Sequence, residues 1–272
     1  MLPAVRMHGV AAVPRLGLLL RATPRGTNAG YSRIEIVMFS ATADLYDLIY
    51  SFKDYTGEAE KVRQVINRER PGAKTILDVA CGTGEHARFL SANFSVDGID
   101  IDPAFVKIAQ GKNPLGNFSV ADMRSFELHK RYDVVQCLFS SIGYLLTSAD
   151  VVSAFRCFRD HLAPDGVVMV EPWLSPTEYK VGSIHMLTVD RPDLKICRMN
   201  VAKHEGDISI LNFHYLTVTR EGVRRMEETH RLVLISSEEM ASHFRAAHLG
   251  CTFDPVGLNG RGLFVARPVD AR

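Results

Sequence analysis

No two of the five cysteines (Cys81, Cys137, Cys157, Cys197, Cys251) form a C-x-x-C pair, and their number is odd. That spacing argues against a disulfide framework and a zinc site, and it predicts reduced thiols of the cytoplasmic kind. No run approaches the ~20 apolar residues of a membrane span. The formal net charge is only +1, so no global field draws in nucleic acid or an anionic membrane. Tryptophan occurs once, and no internal repeat or low-complexity tract appears. What remains is ordinary globular material: 272 residues, 46% hydrophobic and 23% charged. That length is ample for a sizeable core.

Acids are nearly absent from residues 1–37, which hold five arginines, no lysine and Glu35 alone, against 27 basic and 30 acidic residues in the rest. Such a contrast marks an appended basic extension, with the folded domain over 38–272. Arg15 and Arg21 leave the run from Leu16 to Leu20 too short for a secretory signal. Two origins fit the head: an organellar transit segment, or a translated upstream stretch with Met38 as the working start. The second carries more weight, and the expected location is cytoplasmic unless the head redirects the chain.

From about residue 40, helix and strand signals alternate. Aromatics crowd the segment from Ala43 to Tyr55, which reads as a helix running into a loop; a second helix spans Glu58 to Glu69, and Pro71-Gly72 stops it. Short apolar strands are predicted over Thr75–Ala80, Phe94–Ile99, Asn117–Val120, Tyr132–Leu138 and Val167–Val170. Helices are predicted over Gly84–Ala92, Pro103–Gln110 and Ala149–Leu162. This alternation predicts an α/β fold with a mostly parallel sheet covered by helices on both faces. The pattern changes after Glu171. Alternating runs between Ser183 and Ile235 predict an inserted antiparallel β-layer, placed at about 174–235. A helix over Ser237–Leu249 and a hairpin from Cys251 to Arg267, turning at Asn259-Gly260, close the chain.

The strongest chemical signal is the strand-to-helix turn Asp78-Val79-Ala80-Cys81-Gly82-Thr83-Gly84. Gly82 and Gly84 let the backbone bend sharply and approach a ligand. The helix start beyond them presents free N–H groups at the carboxyl end of a strand, where nucleotide-type ligands sit. A dinucleotide fingerprint needs three glycines, and Ala80 and Ala87 occupy its first and third places. Three companions complete the pattern. Asp100, followed by Ile101, ends the second strand, where a carboxylate can take both ribose hydroxyls. Asp122 and Met123 follow the third strand, where an acid and the next N–H can read an adenine edge. Leu138 and Phe139 end the fourth.

On these motifs the chain resembles class I S-adenosylmethionine-dependent methyltransferases, and among them the sugar-amine N,N-dimethyltransferases of deoxysugar biosynthesis. The similarity covers nearly everything after Met38. It includes Asp44-Leu45-Tyr46-Asp47, Lys53-Asp54-Tyr55, Phe139-Ser140-Ser141-Ile142-Gly143, His161-Leu162-Ala163-Pro164, Glu171-Pro172-Trp173 and Gly260-Arg261-Gly262-Leu263-Phe264-Val265. The resemblance implies a Rossmann-like seven-stranded sheet and S-adenosyl-L-methionine as cofactor. It implies a small-molecule acceptor, an amine on a sugar-like or nucleotide-linked metabolite. It also implies a homodimer through the β-layer and an N-terminal segment, with Tyr46 and Tyr55, closing over the cofactor.

One departure stands out. Those sugar enzymes usually carry histidine just after Ser-Ser-Ile-Gly, and here the residue is Tyr144. A tyrosine titrating near ~10 is a weak base at neutral pH and serves better to orient the acceptor. Tyr144 is therefore the candidate catalytic residue, orienting or passing a proton. The acceptor stays open between an amine, a hydroxyl and a carboxylate, and a cofactor-binding module without turnover is a rival. Phe139 and Trp173 read more readily as packing than as partners of the cationic sulfur, and Cys81 as packing rather than a nucleophile. Arg261, between two glycines, reads equally as a turn residue and as a substrate contact. The E-x-x-H spacing of Glu227 and His230 lies in a predicted strand, whose alternation points its ends to opposite faces, so no metal site is expected.

Overall fold

The structure is a computed structural model that describes residues 43–269; the basic extension predicted over 1–37 lies outside them. Two helices open the described chain, α1 (Ala43–Ile49) and α2 (Tyr55–Glu69). The first helix runs into a loop after Ile49 as predicted, and α2 starts at Tyr55 rather than Glu58 because Asp54 caps it, its carboxylate accepting the Gly57 N–H at 2.9 Å.

Strand and helix then alternate: β1 (Thr75–Val79), α3 (Glu85–Leu90), β2 (Ser95–Asp100), α4 (Pro103–Lys112), β3 (Phe118–Val120), β4 (Tyr132–Cys137), α5 (Ser148–Asp160) and β5 (Leu162–Val170). The insertion supplies β6 (Ile184–Arg191), β7 (Leu194–Glu205), β8 (Ile208–Thr219) and β9 (Gly222–Val233). Finally α6 (Ser237–Ala246), β10 (Leu249–Asp254) and β11 (Leu263–Pro268) close the fold. The main sheet runs β10-β11-β5-β4-β1-β2-β3. Only β11 runs against the rest, pairing antiparallel with both neighbours. The predicted mostly parallel, seven-stranded α/β sheet is therefore present.

Periodicity explains how the faces are covered. On α5, Val151, Ala154, Phe155 and Phe158 fall at i, i+3, i+4 and i+7 and are all buried. Phe155 stacks on Phe244 of α6 with ring centroids 3.9 Å apart. The opposite face packs Val62 and Ile66 of α2 against Ile76, Val134 and Met169. Both faces are thus dry, which suits parallel strands of near-continuous apolar sequence.

Two elements differ from expectation. β5 begins at Leu162 rather than Val167, because Leu162 already pairs with Tyr132; Pro164-Asp165-Gly166 forms an irregularity inside the strand, with Asp165 at φ 61°. The closing hairpin does not turn on Asn259-Gly260. Its last pair is Asp254 with Leu263, so residues 255–262 form a longer loop. That loop buries Leu258 in the core and presents Arg261 to the cavity described next.

Four long antiparallel strands make the second sheet, in the order β6-β7-β8-β9. Alternation sorts its faces. Arg198 and Asn200 of β7, Leu211 and Phe213 of β8, and His230 and Leu232 of β9 line the cavity. Ile184, Met186, Met199, Val201, Leu216 and Val218 are exposed on the other side. Among the described residues, no helix is long and apolar enough to cross a membrane.

Candidate active site

The chain reverses direction along the sheet after β3, so β1 and β4 mark the switch point where α/β proteins bind ligands. Beyond β1 the backbone turns through left-handed residues at Ala80 (φ 56°), Gly82 (φ 56°) and Gly84 (φ 75°). At Gly82 an added Cβ would meet open space, whereas at Gly84 it would lie 2.7 Å from Asn113 Nδ2 and 3.0 Å from Ala109 Cβ. Gly82 thus leaves room for a ligand, and Gly84 lets α3 and α4 pack closely.

Asp100 closes the turn from β2. Its carboxylate accepts the backbone N–H of Gly82 at 2.8 Å and of Asp102 at 2.9 Å. Burial pushes its pKa up, and those N–H bonds partly oppose the rise. Asp78 is buried beneath the turn and accepts from Gln136 Nε2 at 3.0 Å. Its second oxygen has no hydrogen-bond partner among the described residues, and burial pushes its pKa up to about 6.

A cavity of about 1240 Å³ runs from this turn toward the second sheet. It brings together Tyr46, Ala80, Gly82, Asp100, Ile101, Asp122, Met123, Phe139 and Tyr144. A smaller adjoining hollow is lined by Tyr55, Asp78, Cys81 and Leu138, with Tyr46 and Phe139 shared. Gly84 lines neither. Asp122 carries a further feature: Arg124 donates to both its oxygens, from Nε to Oδ1 at 3.0 Å and from Nη2 to Oδ2 at 2.6 Å.

The N-terminal helices are tied to the turn by charge. Asp47 of α1 accepts from Thr83 Oγ1 at 2.6 Å and from Lys112 Nζ at 2.6 Å. Lys53 pairs with Glu58, which also bonds His86 Nε2 at 2.8 Å. Burial alone would raise Glu58, but the bonds from His86 and Lys53 outweigh it and pull its pKa down to about 2. The Lys53 ammonium lies 4.5 Å from the Phe139 ring centroid.

At the far end, Arg261 donates to Ser140 Oγ at 3.1 Å and faces the rings of Trp173 (5.1 Å) and Phe139 (5.7 Å). Arg198 bonds Tyr50 Oη at 3.1 Å. Tyr144 Oη lies 2.9 Å from His230 Nδ1.

A methyltransferase-domain family matches residues 76–166. The chain is 38% identical over 230 residues to the dTDP-3-amino-3,6-dideoxy-alpha-D-glucopyranose N,N-dimethyltransferase of Streptomyces fradiae, covering 83% of this chain and 90% of that protein. The crystal structure of Streptomyces venezuelae DesVI superposes with a TM-score of 0.79 at 32% identity, over 86% of this chain and 100% of that one. CalS10 of Micromonospora echinaspora, an amino pentose methyltransferase solved with S-adenosylmethionine bound, gives 0.76 at 30% identity, over 87% and 100%.

The chain belongs to the class I S-adenosylmethionine-dependent methyltransferases. Its residues fit that cofactor: the unpartnered oxygen of buried Asp78 suits an ammonium group, and the Gly82 turn leaves open space beside the Asp100 carboxylate. The methyltransferase also carries site residues that sequence reasoning passed over. Glu171 is fully buried and accepts the Phe139 N–H at 2.7 Å. In sequence, His230 stands out only through the E-x-x-H spacing with Glu227. In the structure it turns inward, while Glu227 pairs with His214 at 3.4 Å on the outside. The signal available was the alternation of Glu228 and His230 on one face of an amphipathic strand. Among the described residues, no group of three or more His, Cys, Asp or Glu could hold a metal ion.

Proposed function

We propose that this methyltransferase methylates the amine of an amino deoxysugar carried on a nucleotide. The supporting observation is the size and lining of the cavity. At about 1240 Å³ it exceeds the roughly 300–1,000 Å³ of a single small-molecule site, so it holds a cofactor and an acceptor together. Arg261, Arg198 and Lys180 line the cavity, and their cationic heads suit the phosphate oxygens of a nucleotide carrier. The Streptomyces fradiae relative bears a dTDP-amino sugar in its name, and CalS10 is named for an amino pentose.

When bound, S-adenosylmethionine supplies a sulfonium methyl that a neutral amine nitrogen takes up, the sulfur keeping the electron pair. The protein's own work is to hold, orient and dry. In this proposal Asp100 takes the ribose hydroxyls, Ile101, Asp122 and Met123 border the adenine, and Asp78 with Tyr55, Cys81 and Leu138 encloses the amino-acid end. Tyr46 and Phe139 flank the reacting end, and Ala80, Gly82 and Gly84 shape the turn. Tyr144 is the proposed catalytic residue on the acceptor side. Alignment of nucleophile and methyl is worth roughly 7–11 kcal/mol in favourable cases.

Incubation with S-adenosylmethionine and a dTDP-linked amino deoxyhexose tests this. The amino sugar should gain one and then two methyl groups by mass, and the matching hydroxy sugar none. Methylation of the hydroxy sugar instead would sink the amine assignment.

Three further readings belong to the same proposal. The folded domain spans 38–272, with residues 174–235 as its insertion. The exposed apolar face of the second sheet (Ile184, Met186, Met199 and Val201 among others) supports a homodimer through that layer; sedimentation of the full chain as a monomer would refute it. All five cysteines are free, which fits the reducing cytoplasm.

A further inference from the structure

The acceptor end of the cavity holds a chain of buried polar groups that orientation of a sugar does not require. Tyr144 Oη meets His230 Nδ1 at 2.9 Å. The other ring nitrogen, Nε2, lies 3.5 Å from Glu228 Oε2, and Tyr215 Oη donates to that same oxygen at 3.1 Å. His230 is 1% exposed and Glu228 2%. Period-2 alternation on β9 puts both on the inner face, and Tyr144 comes from the turn after β4. Tyr144 and His230 line the cavity. A carboxylate, an imidazole and a phenol withdrawn from water together are costly unless they satisfy one another. A merely apolar wall would need none of them.

We propose that Tyr144, His230 and Glu228 form a proton relay that removes the proton an acceptor amine must shed; this rests on the amine reading above. An amino sugar arriving as an ammonium ion cannot attack until one N–H bond breaks. The nitrogen keeps the electron pair, and its proton goes to a lone pair of Tyr144 Oη. The phenolic proton of Tyr144 passes at the same time to His230 Nδ1. The products are a neutral amine, a neutral tyrosine and an imidazolium beside the Glu228 carboxylate, and nothing is oxidised or reduced. A mono-methylated ammonium ion needs the same step before a second transfer. Once product has left, the imidazolium returns its proton through Tyr144 to water in the open cavity.

Tyr144 is suited to passing a proton rather than storing one. Burial, with smaller contributions from Tyr50, Glu228, Tyr215 and Asp100, pushes it well above the usual tyrosine value, so it remains a phenol. Histidine is the side chain whose ordinary titration lies nearest neutral pH. Tyr144 from the turn, Glu228 on its own strand and the Phe213 ring from β8 face His230, and Tyr215 of β8 reaches the Glu228 carboxylate. Arg198 of β7 lies behind the Phe213 ring, its guanidinium carbon 4.5 Å from the centroid, and bonds Tyr50. Tyr144 would be the catalytic member, while His230 acts through it and Glu228 is a positioning residue.

Single-turnover methyl transfer across pH tests the relay, with Tyr144→Phe, His230→Gln and Glu228→Gln variants of the full chain and S-adenosylhomocysteine affinity measured in parallel. Tyr144→Phe and His230→Gln should each lose about a hundredfold in rate at neutral pH and recover as alkali deprotonates the amine in solution. Their S-adenosylhomocysteine affinity should be unchanged. The solvent isotope effect of the wild type should vanish in Tyr144→Phe, and Glu228→Gln should move the acid limb to lower pH. Tyr144→Phe removes one oxygen, so it remains informative even where His230→Gln does not fold. A Tyr144→Phe protein that binds S-adenosylhomocysteine normally and keeps the wild-type rate and acid limb overturns the relay. A wild-type enzyme that methylates no amino sugar overturns the acceptor reading instead.

Discussion

The backbone N–H of Phe139 donates to the buried carboxylate of Glu171 at 2.7 Å, just beyond the ends of β4 and β5. Glu171 is itself anchored, its N–H donating to Cys137 O at 3.0 Å. Phe139 and Ser140 both hold left-handed backbone, at φ 53° and 63°, a conformation of order 1–3 kcal/mol unfavourable for each non-glycine residue. The carboxylate therefore maintains a strained corner on which Phe139 and Ser140 face the cavity.

Glu171→Ala leaves that N–H without its acceptor and the strain without its restraint. Urea unfolding should show a loss of about 2 kcal/mol, and S-adenosylhomocysteine affinity should fall with it. Unchanged stability would mean that the corner holds its shape without Glu171.

Asp100→Ala removes the carboxylate proposed to take the ribose hydroxyls and frees the Gly82 N–H. Two hydrogen bonds to a charged group, at about 1.5–3 kcal/mol each, correspond to at least a hundredfold loss. Calorimetric titration with S-adenosylhomocysteine should register it. Unaltered affinity would remove Asp100 from the site.

Asp78 makes a prediction of pH dependence. Burial raises its pKa to about 6 in the folded chain, against ~3.9 when unfolded. Between about pH 6 and pH 4 the folded protein holds a proton that the unfolded chain has released, so this group's contribution to stability grows as pH falls through that window. Above pH 6 the buried charge is unfavourable. Asp78→Asn should raise the stability of the ligand-free protein at pH 7 by at most roughly 3 kcal/mol, flatten that slope, and weaken S-adenosylhomocysteine binding. A lower melting temperature at pH 7 would contradict it.

Much of this was legible in the chain. Apolar runs set off by turn residues located β1, β2 and β4, and the turn that brings Gly82 to Asp100 was legible because turn chemistry is local. Contacts between distant segments were not legible. His230 stands 86 residues from its partner Tyr144, and a period-2 pattern says which face it takes but not what lies across from it. The loop 255–262 read as a tight Asn259-Gly260 turn, since its length is set by the pairing of Asp254 with Leu263. That same loop brings Arg261 to Ser140, 121 residues away. The start of α2 at Tyr55 rather than Glu58 has a local cause instead: Asp54 caps the helix three residues earlier than its apolar periodicity suggests.

Arg261 supplies a test of the acceptor side alone. Arg261→Ala should raise KM for a nucleotide-linked amino sugar about tenfold or more, as expected when a charged contact is lost, while S-adenosylhomocysteine binding holds. An unaltered KM would leave Arg261 as a brace for Ser140.

The central claim is methyl transfer from S-adenosylmethionine to a sugar amine, and following an isotope-labelled methyl group by NMR tests it most directly. With a dTDP-linked amino deoxyhexose as acceptor, the label should appear on nitrogen, first as a mono- and then as a dimethylamino resonance. Label on a hydroxyl oxygen, or no transfer by a protein that binds S-adenosylmethionine, would contradict the account.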